Sequence, residues 1–186
     1  NATDVAKKAS SAVLTVEGLG GIDDLVKIGR VIFQRIATWI INKMIRTFKR
    51  VIFIVLAFII TGQYVVSAFD MILLLFLSDY VTLSLSTDNV RYSRKPEKWD
   101  IMGLVKAGAV LGIFMVVESF LLLYIGLYYY GLYGDIDQLH TFVFDWLTFS
   151  GYFTVLAIRE RKHFWNSRPS RFLILSIVAN VILVSV

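Results

Sequence analysis

Among the ionisable residues inside apolar stretches of this chain are Lys49, Arg50, Asp79 and Glu118. The run FLSDYVTLSLSTDNV, Phe76 to Val90, sets Asp79 into hydrophobic surroundings, and SAFDMILLLFL before it holds one other charge, Asp70. An ionised carboxylate in hydrocarbon costs roughly 3 kcal/mol or far more. It needs a cationic partner, or it must at times carry a proton. Asp79, Thr82 and Ser86 repeat at i, i+3 and i+7, with Ser78 beside them, so they form one polar stripe on a helix. The chemistry such a set offers is binding and passing a cation or proton.

The elements that must position these residues are two apolar helical stretches, about 36–61 and 65–86, joined by the short turn TGQY. With the turn centred near Gln63, Lys49 lies 14 residues before it and Asp79 lies 16 after it. At ~1.5 Å per residue both are ~21–24 Å from the turn. Equal depth on adjacent antiparallel helices predicts a Lys49–Asp79 ion pair, with Arg50 the neighbouring alternative. Two roles are open for it, a structural lock on the hairpin or an ion site. Lys43 and Arg46 read as snorkelling to the interface. Glu118, midway along a third stretch, reads as a second ion-path residue or a packing residue. Asp70, His140 and Asp145 read as interfacial, and Gly108 with Gly112 as a GxxxG packing motif.

Composition fits a membrane setting. The chain is 57% hydrophobic with mean hydropathy +0.69, more apolar than soluble domains. Spans are expected at about 36–61, 65–86, 102–130, 139–158 and 171–186. The nineteen Lys and Arg fall in residues 1–50, in loops 87–101 and 159–171, and at Lys106. Loops 62–64 and 131–138 have none, and the second carries Asp135 and Asp137. The positive-inside rule then places the N-terminus in the cytoplasm. Tyr128, Tyr129, Tyr130 and Tyr133 make an outer aromatic belt, and Trp99, Phe164 and Trp165 an inner one. Net charge +5 belongs to these loops and not to nucleic acid binding. With no cysteine and two separated histidines, no thiol chemistry or zinc site is expected; no catalytic, metal or cofactor-binding residue is assigned.

Residues 1–30 read as an α/β remnant: a short helix over TDVAKKAS capped by Thr3 or Asp4, a strand at AVLTV, a turn at GLGG, then a helix over IDDLVKIGRVIFQRI. The chain begins at Asn1 and closes on a fifteen-residue apolar run, short of the ~20 of a span, so it reads as a piece of a longer protein.

Several segments resemble P-type ATPases. NATDVAKKASSAVLT is similar to the stretch after the hinge motif GDGxNDxPAL. GRVIFQRI is similar to the junction into the fifth transmembrane helix. FLSDYVTLSLSTDNV, SRKPEKWDI and ERKHFWNSRPSRFL resemble the sixth helix and later loops of the proton-pumping branch, the plasma-membrane H⁺-ATPases. The resemblance implies an all-α polytopic membrane domain, 31–186, with five spans matching helices five to nine, and a phosphorylation-domain remnant at 1–30. It implies proton export across the plasma membrane by a Mg²⁺- and ATP-dependent parent, with the bilayer and the remaining pump domains as partners. Ser78 and Asp79 match the family's Asn-Asp pair, whose aspartate binds the proton; the Asn is replaced by Ser. Lys49, or Arg50 one residue on, matches the family's basic counter-ion. DKTGT and TGES are absent from these residues, so the chain alone is expected to be inactive. The alternatives are a Ca²⁺ or other divalent pump, and a non-catalytic membrane scaffold or regulatory fragment.

Overall fold

A computed structural model describes residues 3–11, 13, 20–91, 93, 98–160 and 167–185. All regular structure among them is helical. The expected α/β character of 1–30 is not seen there. Asp4–Ala9 forms α1, and Thr3 caps it by accepting from the amide of Ala6. The expected strand AVLTV lies, but for Val13, outside the described residues.

Helix α2, Gly20–Thr61, has 42 residues and carries the expected amphipathic segment and first span as one unbroken rod of about 60 Å. It stops at Gly62, whose φ of 72° only glycine adopts freely. Helix α3, Ala68–Ser84, begins three residues later than expected. Ser67 and Asp70 set its start by a reciprocal capping box: each side chain accepts from the other's backbone N–H, both at 3.1 Å. Asp70 is therefore a helix cap. Helix α3 ends in a tight turn, Leu85–Thr87. Helix α4, Ile101–Tyr124, continues through a widened turn, Ile125–Tyr129. Asp135 caps helix α5, Ile136–Ile158, and Ser170 caps helix α6, Arg171–Val184.

Among the described residues, three helical stretches are long and apolar enough to cross a membrane: Ala68–Thr87, Ile101–Tyr129 and Ile136–Ile158. The other two expected spans differ for separate reasons. Helix α2 carries Lys43, Arg46, Lys49 and Arg50 within its apolar half, and α6 has 14 residues. Phe76, Leu83 and Phe114 turn outward, each more than two-thirds exposed. A surface this apolar suits lipid and not water. The tyrosines of the expected outer belt are all exposed; Trp99 packs on Phe33 at 4.3 Å, while Phe164 and Trp165 lie outside the described residues.

Lipid is as apolar as a leucine side chain, so helix association rests on close packing. Helices α2 and α4 meet at the GxxxG motif. A Cβ added to Gly108 would lie 3.1 Å from Cβ of Met44, and one added to Gly112 would lie 3.0 Å from Cβ of Phe48. Those neighbours are fixed to the backbone of α2 and cannot swing aside. Gly112→Leu is expected to part the two helices and cost about 1–3 kcal/mol, the usual penalty of overpacking. Unfolding in detergent micelles measures it, with Val110→Leu on the exposed face as control; equal stability of the two variants would refute the close contact.

Two apolar clusters fill the bundle. One joins Phe53 and Ala57 of α2, Leu74 and Leu77 of α3, and Val143 and Leu147 of α5. The other joins Val81, Leu85, Tyr152, Val155 and Leu173. Ser78, Thr148 and Ser150 fall between them along α3 and α5 and are buried. The cations of α2 meet the other helices at this polar level.

Candidate functional site: two charged faces of one helix

Lys43, Arg46 and Arg50 follow one another at i, i+3 and i+7, so they share one face of α2, and this face meets α3. Arg46 is buried; it donates to the carbonyl of Ser78 at 3.0 Å, to Thr82 Oγ1, and to the carbonyl of Asn42 at 3.4 Å. Arg50 donates to Ser78 Oγ at 2.8 Å and to the carbonyl of Leu74 at 3.3 Å. The hydroxyls of Ser78 and Thr82 each donate to the carbonyl four residues back, both at 2.5 Å. That back-bonding satisfies their protons within α3 and leaves their oxygens free to accept from the guanidinium groups.

Asp79 pairs with Lys43, Nζ to Oδ1 at 2.5 Å, and the two side chains are 48% and 42% exposed respectively. The expected Lys49–Asp79 pair does not form. Lys49 is buried on another face of α2, where it donates to Ser150 Oγ and lies 3.8 Å from Glu118 Oε2. Depth along the membrane was the criterion that selected Lys49, but one residue turns a helix by about 100°. Lys49 is thus turned well away from Arg50 and from α3. Lys43 and Arg46, expected to snorkel, instead serve Asp79 and the Ser78–Thr82 ladder. Of the expected polar path, Thr82 is buried against Arg46. Ser86 opens onto a cavity of about 330 Å³ shared with Arg35, Trp39 and Leu83.

Sequence reasoning missed the most deeply buried ion pair. Arg159, which follows α5, donates to both oxygens of Asp88, at 2.9 and 3.2 Å, and each side chain is 1% exposed. Asp88 Oδ1 also accepts from the backbone N–H of Ser170 at 2.9 Å, and its carbonyl accepts two bonds from Arg35 at 2.7 and 2.9 Å. One residue thus ties together α2, the end of α3, the end of α5 and the start of α6. Arg159 counted only as a loop charge in the sequence, and Asp88 drew no reading of its own. Tyr152 was missed as well: it is buried on α5 within electrostatic reach of Arg46 and Arg50. His140 Nε2 lies 2.8 Å from the carbonyl of Tyr64, joining α5 to the α2–α3 turn. Asp145 lines a cavity of about 520 Å³ with Asp137, at the tyrosine end of the bundle.

A lone carboxylate flanked by a lysine can hold one proton, whereas Ca²⁺ takes six to eight oxygens. Among the described residues no three Asp, Glu or His side chains converge as a metal would require.

No protein-family model matches the chain. It is 33% identical over 174 residues to a protein of Methanocaldococcus jannaschii named as a cation-transporting ATPase, covering 93% of this chain and 21% of that protein. It is 28% identical over 173 residues to plasma membrane ATPase 1 of Saccharomyces cerevisiae, covering 91% of this chain and 18% of that protein. Plasma membrane ATPase 1 of Candida albicans is 27% identical over 173 residues, 91% of this chain and 19% of that protein. The chain spans about a fifth of the length of these relatives. Its apolar helices and these relatives agree on an integral membrane protein. An all-helical bundle with charged residues inside its apolar stretches, matched along nine-tenths of its length by such proteins, is a homologue of the P-type ATPases.

Proposed function

We propose that this chain is the ion-translocating membrane section of a P-type cation pump in the cell membrane, with its N-terminus cytoplasmic, and that the ion is a proton. The observation that carries this reading is Asp79. It is a carboxylate on an apolar helix, half-exposed, held by Lys43 and bordered by Ser78, Thr82, Arg46 and Arg50. One proton needs one carboxyl group; a divalent ion would need several more oxygens on this face, where the neighbours are cations. The N-terminal placement rests on charge. Arg91, Lys98, Arg159 and Arg168 gather at one end of the bundle, and Asp135 and Asp137 flank the tyrosine end. Energy would come from the ATP-handling parts of the complete pump; this section would supply the path. Lys43 anchors the carboxylate near the charged end, and Arg46 and Arg50 hold α3 in register beside it.

The test is ion identity. The complete ATPase is reconstituted into liposomes, and ATP-driven changes in lumenal pH and uptake of radiolabelled Ca²⁺ are followed side by side. Acidification without Ca²⁺ accumulation is expected. ATP-driven Ca²⁺ accumulation would overturn the proton reading in favour of the divalent pump.

A further inference from the structure

The charged residues of α2 divide between two faces, and the second has no part in the Asp79 site. Lys49 is 3% exposed and donates to Ser150 Oγ of α5. Glu118 reaches it from α4. Its Oε2 is 3.8 Å from Lys49 Nζ, beyond a hydrogen bond, and is buried with no hydrogen-bond partner. The Glu118 side chain as a whole is nonetheless 36% exposed. This carboxyl therefore has one oxygen turned into the bundle beside an ammonium and a route to the outer face of α4. A pair built only to lock helices would close to about 2.7–2.9 Å, the usual length of a charge-assisted bond. Here the ammonium's hydrogen bond goes to a hydroxyl and the carboxylate is left without one.

We infer that Lys49, Glu118 and Ser150 form a second proton-binding site, separated from Asp79 by the body of α2. Glu118 takes up one proton to become a carboxylic acid, while Lys49 keeps its hydrogen bond to Ser150 Oγ. Ser150 makes this tolerable: when Glu118 is neutral, the buried ammonium keeps a hydroxyl acceptor and is not stranded. When Glu118 is ionised, Lys49 offsets its charge. Lys49 is the charged group facing Glu118 from α2, with Arg50 next on that helix and within electrostatic reach of Lys49. From α5 the site receives Ser150, and one turn further on Thr154, whose hydroxyl donates to the Ser150 carbonyl at 2.7 Å. The close α2–α4 contact at Gly108 and Gly112 brings Glu118 within range of Lys49.

This inference rests on the proton-pump reading above, and the experiment separates the two. The complete pump is reconstituted as wild type, Glu118→Gln, Ser150→Ala and Asp79→Asn, and protons moved per ATP hydrolysed are measured for each. Glu118→Gln is expected to keep hydrolysing ATP while its ratio falls at least about twofold, because the carboxyl that takes up the proton on this face of α2 is gone. Ser150→Ala is expected to lower the ratio in the same direction, since Lys49 then depends on an ionised Glu118. It also serves if Glu118→Gln does not fold. Wild-type ratios in either folded variant would overturn the second site and leave the Asp79 reading standing. Wild-type transport by Asp79→Asn would overturn that reading instead.

Discussion

Asp79→Asn in the complete pump is expected to abolish ATP-driven proton transport while the membrane domain stays folded. Asparagine keeps the shape of the side chain and its acceptor oxygen but cannot ionise. The structural cost is small. The oxygen that asparagine keeps can still accept from Lys43 Nζ, which bonds Asp79 Oδ1 at 2.5 Å. Arg46 and Arg50 lose nothing directly, because their bonds run to Ser78, Thr82, Leu74 and Asn42. Proton movement should therefore fall to the leak of empty liposomes, a loss of at least ~100-fold, the scale on which a positioned proton-transfer group acts. Acidification of proteoliposomes measures transport, and phosphoenzyme formation measured in parallel reports whether the energy-coupling reaction persists. Lys49→Ala sharpens the result. If Lys49 were the counter-ion of Asp79, it would mimic Asp79→Asn; the observed geometry predicts instead that it acts with Glu118→Gln. Wild-type pumping by Asp79→Asn would reduce the Lys43–Asp79 pair to a helix contact.

Arg159→Ala is expected to be the most destabilising single change, by about 3–5 kcal/mol, the cost of stranding one member of a buried ion pair. The Asp88 carboxylate would keep only the Ser170 N–H among its bonds. Ser167 would lose its donor as well, since Arg159 also bonds the Ser167 carbonyl and hydroxyl. The damage should spread, because Arg35, Ser170 and the Asn89–Ser167 contact at 2.8 Å all depend on the same corner. Unfolding in detergent micelles measures the loss. Asp88→Asn with Arg159→Met should cost less than the sum of the two single changes, as partners in one network do. Lys27→Ala, which breaks an exposed pair with Asp23, should stay within about 1 kcal/mol. An Arg159→Ala loss no larger than that of Lys27→Ala would show that the corner carries no stability.

The main elements of the fold were legible in the residues because their causes are local. Ser67 with Asp70 three positions on is a local capping box, although Asp70 was read from the sequence as interfacial. Gly62 ends α2 because the turn needs a positive φ. Gly108 and Gly112, four apart on an apolar stretch, mark the face that α2 approaches. The stretch of α3 bearing Asp79 followed from hydropathy and length, and its level in the bundle from the rise per residue.

Pairing was decided by the tertiary structure, because a helix has a rotation as well as a rise. Counting from the turn placed Lys49 level with Asp79. The 100° turn per residue gave α3 the face of Lys43, Arg46 and Arg50 and gave Lys49 to Glu118 and Ser150. The i, i+3, i+7 spacing of those three cations was visible in the sequence, but which neighbour they would face depends on how α2, α3 and α4 pack. The same holds more strongly for Asp88 and Arg159, 71 positions apart. Each is an ordinary loop charge by its neighbours in sequence. Only the convergence of three helix ends on the flank of α2 removes both from solvent, and burial is what turns two unremarked charges into the joint of the bundle.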